Sequence, residues 1–272
     1  MGKKEIFKRD LIKEIKYLHS QLGRRPTRHD RSSLYYRARK YFGSWNKLME
    51  EAGYGIRPIQ YIQEIKLDKN FAYFLGLVIT DGHIVCNLKK KAYKVAIYTS
   101  YAKERDLIIK LIKNLFNYNS GIRSRKYGFN KRINYEIRIN SKKLVNFLVR
   151  DLRIPFGNKS SIVRVPDKIK QNDDKMIKKS FLRGVIDGDG SIILGWGIKI
   201  ASGSSKFLVD LKYLLKELDV KTGSIHKHRK ANTYTLNINN KEGINKIKTI
   251  YNNEISYPRK KDKILISTGP DD

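Results

Sequence analysis

FLGLVITDG at residues 74–82 and LRGVIDGDG at residues 182–190 decide the fold of this chain. Both stretches have glycine in third place and close on Asp-Gly, and the final aspartates, Asp81 and Asp189, stand 108 residues apart. Phe74, Leu75, Leu77, Val78 and Ile79 leave almost no polar side, so a helix built from them must be buried on most faces. Gly76 and Gly184 each cost about 1 kcal/mol of helix propensity against alanine, which makes sense where a second backbone passes close by. Two such helices packed on each other would set Asp81 and Asp189 side by side at their C-termini. One Asp-Gly alone is a common turn signal; two on matched helices in a strongly basic chain point to a site.

Working outward, the rest of the chain repeats as well. YEIRINSKKLVNFL (135–148) matches YTLNINNKEGINKI (234–247) at an offset of 99, and NKS (158–160) lies near the position of RKK (259–261) at an offset of 101. Three matches in one order point to duplication and fusion. The first copy opens with its glycine-containing helix, followed by alternating strands with Ile84, Cys86 and Leu88, then Val95 and Ile97. A helix with Leu107, Ile108, Leu111, Ile112 and Leu115 follows, then strands from Ile122 and from Tyr135, then a helix with Leu144, Phe147 and Leu148. The second copy repeats the order: Ile198 and Ile200, the helix Phe207 to Leu218, Leu236 and Ile238, then Ile244, Ile247 and Ile250. The expected class is α+β, a tandem αββαββα repeat with pseudo-two-fold symmetry.

Ahead of it, residues 1–54 read as a small helical domain. Phe7, Leu11, Ile15, Leu18 and Leu22 form an apolar stripe, Gly23 ends the helix, and Thr27 with Asp30 gives a capping-box spacing for the next. Gly53, Gly55 and Pro58 mark a linker at 55–68, leaving 69–165 and 166–272 as the two halves.

The chain has 272 residues, 40% of them hydrophobic, enough for a real core. Lys plus Arg number 58 against 26 Asp plus Glu, a formal charge of +32 that calls for a polyanion, nucleic acid first. No run approaches the roughly 20 apolar residues of a membrane span, and the charged N-terminus lacks a signal-peptide core, so a soluble, cytoplasmic protein is expected. Cys86 is the single cysteine, which excludes an internal disulfide and every multi-cysteine zinc site.

Carboxylates at a helix C-terminus meet the negative end of the dipole, which is unfavourable without a cation. A hard divalent ion such as Mg²⁺ resolves the conflict, and two such sites close together suit phosphodiester hydrolysis.

The two opening motifs resemble the LAGLIDADG motifs of single-chain homing endonucleases, with the repeat covering about residues 70–265. The second matches closely; the first departs at Phe74 and at Ile79, which bears on helix capping more than on chemistry. The resemblance implies Asp81 and Asp189 as the metal-binding acids, helped by backbone carbonyls near Thr80 and Gly188, with Mg²⁺ as cofactor and Mn²⁺ as a substitute. It also implies one basic residue per site: GNKSSIVRVP and YPRKKDKILI nominate Lys159 and Lys260, with Lys261 as competitor. The family's saddle of strands lays a polar face in the major groove. Alternation then nominates Arg123, Arg125, Glu136 and Arg138, and in the second copy Lys199, Lys227 and Arg229, as DNA contacts. QLGRRPTRHD and YFGSWNKLMEEAG resemble the helical repeat attached to some homing endonucleases, where Arg24, Arg25, Arg28 and Arg31 suit phosphate contact.

The function expected is a monomeric, site-specific double-strand DNA endonuclease with a long target. Its rival is a non-cutting binder on the same scaffold, an intron RNA maturase or a DNA-binding regulator. A general basic RNA-binding protein would leave the paired Asp-Gly helices unexplained. His226 and His228 suit DNA contact or solvent better than zinc, with no cysteine nearby. Asp189 and Lys199 lack the second acid of a restriction-type site, and no phosphate-binding G-x-x-x-x-G-K-[ST] loop occurs. Intein-type self-splicing, which needs a nucleophile at residue 1 and a terminal Asn, is not expected of Met1 and Asp272.

Overall fold

The structure, a computed structural model, describes residues 2–55, 60–127, 132–229 and 231–267. It divides into two compact units, Met1–Ile59 and Gln60–Asp272. In the first, helices α1 (Lys3–Leu22), α2 (Ser32–Phe42) and α3 (Trp45–Glu51) close on Leu11, Ile15, Leu34, Ala38, Phe42, Leu48 and Met49. Phe7, expected in the stripe, is 45% exposed and stacks on Tyr41 instead. The capping-box spacing is a turn here and not a helix start. Asp30 accepts from the Thr27 amide and hydroxyl and from Arg24, and α2 begins only at Ser32.

The second unit holds both repeats. The first runs α4 (Lys69–Thr80), β1 (Gly82–Asn87), β2 (Ala92–Thr99), α5 (Ala102–Phe116), β3 (Gly121–Tyr127), β4 (Arg132–Ile139) and α6 (Lys142–Asn146), the last continuing into a wider turn to Asp151. After α7 (Asp167–Lys170) the second runs α8 (Lys175–Asp189), β5 (Gly190–Ile193), β6 (Gly197–Ser202), α9 (Ser205–Glu217), β7 (Ile225–Lys227), β8 (Tyr234–Ile238), α10 (Lys241–Tyr251) and α11 (Pro258–Ile266). Each makes a four-stranded antiparallel sheet, in orders β1-β2-β4-β3 and β5-β6-β8-β7. Ile97 pairs with Ile137 in one, and Ile200 with Leu236 in the other. The expected αββαββα order is present twice. Leu88, placed in a strand by its spacing, is 66% exposed in the β1–β2 turn.

Every residue of α4 from Phe71 to Ile79 is buried, and Asp68 caps the helix by accepting from the Phe71 amide at 2.7 Å. Helices α4 and α8 cross at their glycines. A Cβ on Gly76 would stand 2.6 Å from the Phe181 carbonyl oxygen and 2.8 Å from Gly184 Cα; one on Gly184 would overlap the Tyr73 carbonyl. Only glycine permits this approach, which accounts for the propensity both helices give up.

The linker expected at 55–68 falls partly on residues 56–59, outside the described residues. From Gln60 onward the chain belongs to the second unit. Ile62 is buried in its core, Ile65 and Leu67 pack against it, and the Lys143 ammonium donates to the Gln63 carbonyl. Apolar residues at 62, 65 and 67 explain why this stretch is a strap and not a free tether.

Candidate active site and nucleic-acid interface

Because α4 and α8 cross at their middles, both C-termini end together. Asp81 terminates α4 and Asp189 is the last residue of α8. Burial, then the charge of Asp189, pushes the Asp81 carboxyl up to about 7, against the pull of Lys260 and Lys159. Burial pushes Asp189 to about 6, with the same two lysines opposing it. Two desolvated carboxylates at negative helix ends are an arrangement short of positive charge.

The nominated lysines supply some of it. Lys159 is buried and donates to the Ile79 carbonyl at 2.7 Å. Lys260, also buried, donates to the carbonyls of Ile186 at 3.0 Å and Gly188 at 2.8 Å. Burial pulls both ammonium groups below the ordinary lysine range, while the neighbouring aspartates push them back up. Lys261 points away and donates to the Glu254 carbonyl. Lys159, Ser160, Asp189, Ser202 and Gly203 line one cavity of about 240 Å³ beside Thr80. The Thr80 hydroxyl is turned into its own helix, donating to the Gly76 and Leu77 carbonyls.

Further residues at this site are not among those nominated from the sequence, although Asp187 lies within the second motif. Asp187, fully enclosed, accepts from the hydroxyls of Tyr73 (2.6 Å) and Tyr251 (2.9 Å) and from the Tyr257 amide (2.7 Å). Burial pushes its carboxyl up to about 6 in spite of those three donors. Ile79 stands at the matching place in α4, so the polar cap exists on one side only. Glu104, buried at the start of α5, accepts from the Thr99 hydroxyl at 2.6 Å and from Arg259 at 3.4 Å, and its charge adds to the rise at Asp81. The Tyr257 hydroxyl is buried with no hydrogen-bond partner among the described residues.

Strand register assigns the sheet faces, because directly paired residues point the same way. Arg123 pairs with Glu136, Arg125 with Asn134 and Gly121 with Arg138, opposite to the buried Ile137 and Ile139. With Lys94 and Tyr98, four of these residues (Arg123, Arg125, Asn134 and Glu136) line a concavity of about 380 Å³. Burial would raise the Glu136 carboxyl, but the Lys94 ammonium at 2.8 Å, then Arg138 and Arg123, hold it below the usual range.

In the second sheet Lys199 pairs with Asn237, on the face away from Ile198 and Ile200. Lys227 does not share that face. It pairs with Tyr234, in step with Ile225 and Leu236, while His226 pairs with Thr235 on the Lys199 side. Arg229 lies beyond β7 in a turn. Alternation counted through Lys227 is out of phase by one with the strand pairing, and His226 occupies the Lys199 face. Arg138 Nε and Asn237 Oδ1, 99 residues apart on equivalent strands, are buried polar atoms without a partner among the described residues. In the first unit Arg24 forms a two-pronged ion pair with Asp30 (2.7 and 2.9 Å), while Arg28 is exposed.

Known proteins share these features. Residues 6–55 match the homing endonuclease associated repeat, and residues 176–251 match the LAGLIDADG-like domain. Two separate segments of the chain are thus similar to these two families, one in each compact unit. The LAGLIDADG-like match covers the second motif; the first half repeats that motif in sequence and builds a sheet of the same strand order. The structure is similar to the homing endonuclease I-DmoI in complex with DNA and Mn, at TM-score 0.54 and 22% identity, covering 70% of this chain and 100% of that one. It is also similar to I-WcaI bound to its DNA recognition sequence, at TM-score 0.55 and 15% identity, covering 75% and 90%. At these identities the likeness is one of fold.

Among curated proteins, the replication factor C small subunit of Methanocaldococcus jannaschii is 29% identical over 168 residues, 58% of this chain and 9% of that protein. The DNA-directed RNA polymerase subunit Rpo1C of the same organism is 25% identical over 149 residues, 54% of this chain and 15% of that protein. The chain spans a small fraction of the length of these relatives. No described helix is long and apolar enough to cross a membrane.

Proposed function

We propose that this chain is a site-specific endonuclease that cuts both strands of duplex DNA, acting as a monomer with Mg²⁺ or Mn²⁺. The observation that carries the reading is the pair of desolvated carboxylates, Asp81 and Asp189, at the ends of two crossed helices with buried lysines beside them. I-DmoI with DNA and Mn, and I-WcaI on its recognition sequence, support it as proteins of the same fold.

The donor set fits a hard divalent ion: carboxylate oxygens deficient in positive charge, with the Thr80 and Gly188 carbonyls as candidate neighbours. Among the described residues no group of three or more His, Cys, Asp or Glu could hold a metal, so an ion held by Asp81 and Asp189 would need further oxygen ligands from outside such a group. When bound, the ion lowers the pKa of water and stabilises the leaving oxygen. Asp81 and Asp189 would hold it as anions. Lys159 and Lys260 place ammonium groups beside them to offset charge accumulating on the phosphate. The polar sheet faces, with Arg123, Arg125, Glu136, Arg138, Lys199 and His226, hold the duplex. Arg25, Arg28 and Arg31 of the first unit reach phosphates.

The test is cleavage of a randomised duplex library with Mg²⁺, beside an Asp81→Ala, Asp189→Ala double variant. Discrete cuts by the unaltered protein alone are expected. Tight duplex binding without cuts would overturn the reading and turn attention to intron RNA.

A further inference from the structure

The segment carrying each lysine is fastened to the opposite half. Residues 159–165 follow the first repeat but lie on the β6–α9 corner of the second. Arg164 makes a two-pronged ion pair with Asp210 of α9 (2.9 and 2.7 Å), and the Val165 amide donates to the same carboxylate at 3.3 Å. The Ser204 hydroxyl donates to the Val163 carbonyl at 2.7 Å, and a Cβ on Gly203 would stand 2.9 Å from the Ser160 carbonyl oxygen. Residues 257–261 follow the second repeat but lie on the β2–α5 corner of the first. Arg259 pairs with Glu104 of α5 at 3.4 Å and sits 4.3 Å over the Tyr101 ring. Both carboxylates are almost fully enclosed, Asp210 at 4% exposure and Glu104 at 3%. Each lysine then reaches back to its own helix end, Lys159 to Ile79 and Lys260 to Ile186 and Gly188. The cavity holding Lys159 also holds Asp189 and Ser202, both from the second half.

We propose that Asp210 and Glu104 are positioning residues that, through Arg164 and Arg259, hold Lys159 and Lys260 in place beside the paired acids. Each cleavage centre is then composite, because its lysine is held in place by the repeat that its own segment does not follow. A buried carboxylate paired with a half-exposed arginine suits this role, because the enclosed partner fixes where the arginine's backbone must lie. The two clamps are analogous and not equivalent: Arg259 directly precedes Lys260, whereas Arg164 follows Lys159 by five residues. This rests on the proposed nuclease activity for its catalytic consequence, while the clamps themselves can be tested without it.

The experiment compares Asp210→Asn, Glu104→Gln and the doubles Arg164→Gln/Asp210→Asn and Arg259→Gln/Glu104→Gln in two readouts. The first is acylation of lysines by acetic anhydride, resolved by mass spectrometry, which needs no cleavage. Asp210→Asn should speed modification of Lys159 several-fold and leave Lys260 unchanged, and Glu104→Gln should do the reverse. The second is cutting of each strand of an end-labelled target. Each single variant should slow one strand about tenfold or more, a different strand for each, and each double should be no worse than its worse single. Equal change at both lysines, or at neither, overturns the clamps; equal slowing of both strands reduces Asp210 and Glu104 to structural residues and also overturns the proposal. If the unaltered protein cuts no duplex, the nuclease reading falls and acylation alone decides the clamps.

Discussion

At the scale of single residues, the chemistry turns on charges kept from water. Asp81 and Asp189 hold a proton more tightly when folded than when unfolded, so protonation favours the folded state. Metal-free stability should therefore fall as pH rises from about 4, the ordinary aspartate value, through about 6 and about 7. Asp81→Asn/Asp189→Asn removes both groups and leaves Asp187, Glu104, Lys159 and Lys260 in place. In chemical denaturation the variant should gain on the unaltered protein across that window, then run parallel above about pH 7; a constant difference would contradict the burial effect. At pH 8, Mg²⁺ should raise the Tm of the unaltered protein and not of the variant. The lysines differ as sharply. Lys260→Met should slow one strand's cleavage about 100-fold, whereas Lys261→Met should barely alter it, since Lys261 serves the Glu254 carbonyl.

At the scale of elements, the crossing of α4 and α8 is the least forgiving contact. Gly76→Ala gains about 1 kcal/mol of helix propensity but drives a methyl onto backbone atoms of α8 that cannot rotate aside. Overpacking costs about 1–3 kcal/mol, and at a backbone contact the upper end or beyond. A net loss is expected in the urea midpoint, and an unchanged midpoint would contradict the packing. This crossing was legible in the sequence because burial and glycine spacing are local patterns, and so were both αββαββα units. The phase of β7 was not. In a three-residue strand, alternation has little to lock onto, and it is the pairing of Lys227 with Tyr234 that fixes the face. Nor could Glu104 and Arg259, 155 residues apart, announce each other by spacing. Thr27 and Asp30 had the right spacing for a helix start, and the Thr27 amide does donate to Asp30, but the segment closes as a turn and α2 begins only at Ser32.

At the scale of the whole molecule, a formal charge of +32 should make the proposed binding to DNA strongly dependent on salt. Arg28→Ala, at an exposed position in the first unit, should weaken binding to all duplexes alike and flatten the salt dependence by about one phosphate contact, read as the slope of log K against log salt. Arg123→Ala, on the sheet face beside Glu136, should instead lose discrimination at one base pair of the target. Failure of that contrast would mean that the two arginines act by charge alone. The meeting of Thr80 and Gly188 bears on a different matter, the interchange of halves. The Thr80 hydroxyl occupies the space a side chain at 188 would need, and Arg183, Asp187 and Glu254 furnish a polar core on one side only. A protein built from two first halves would set threonine against threonine at this crossing. The halves are keyed to each other at this point, and duplicating the first half alone would require recutting the key.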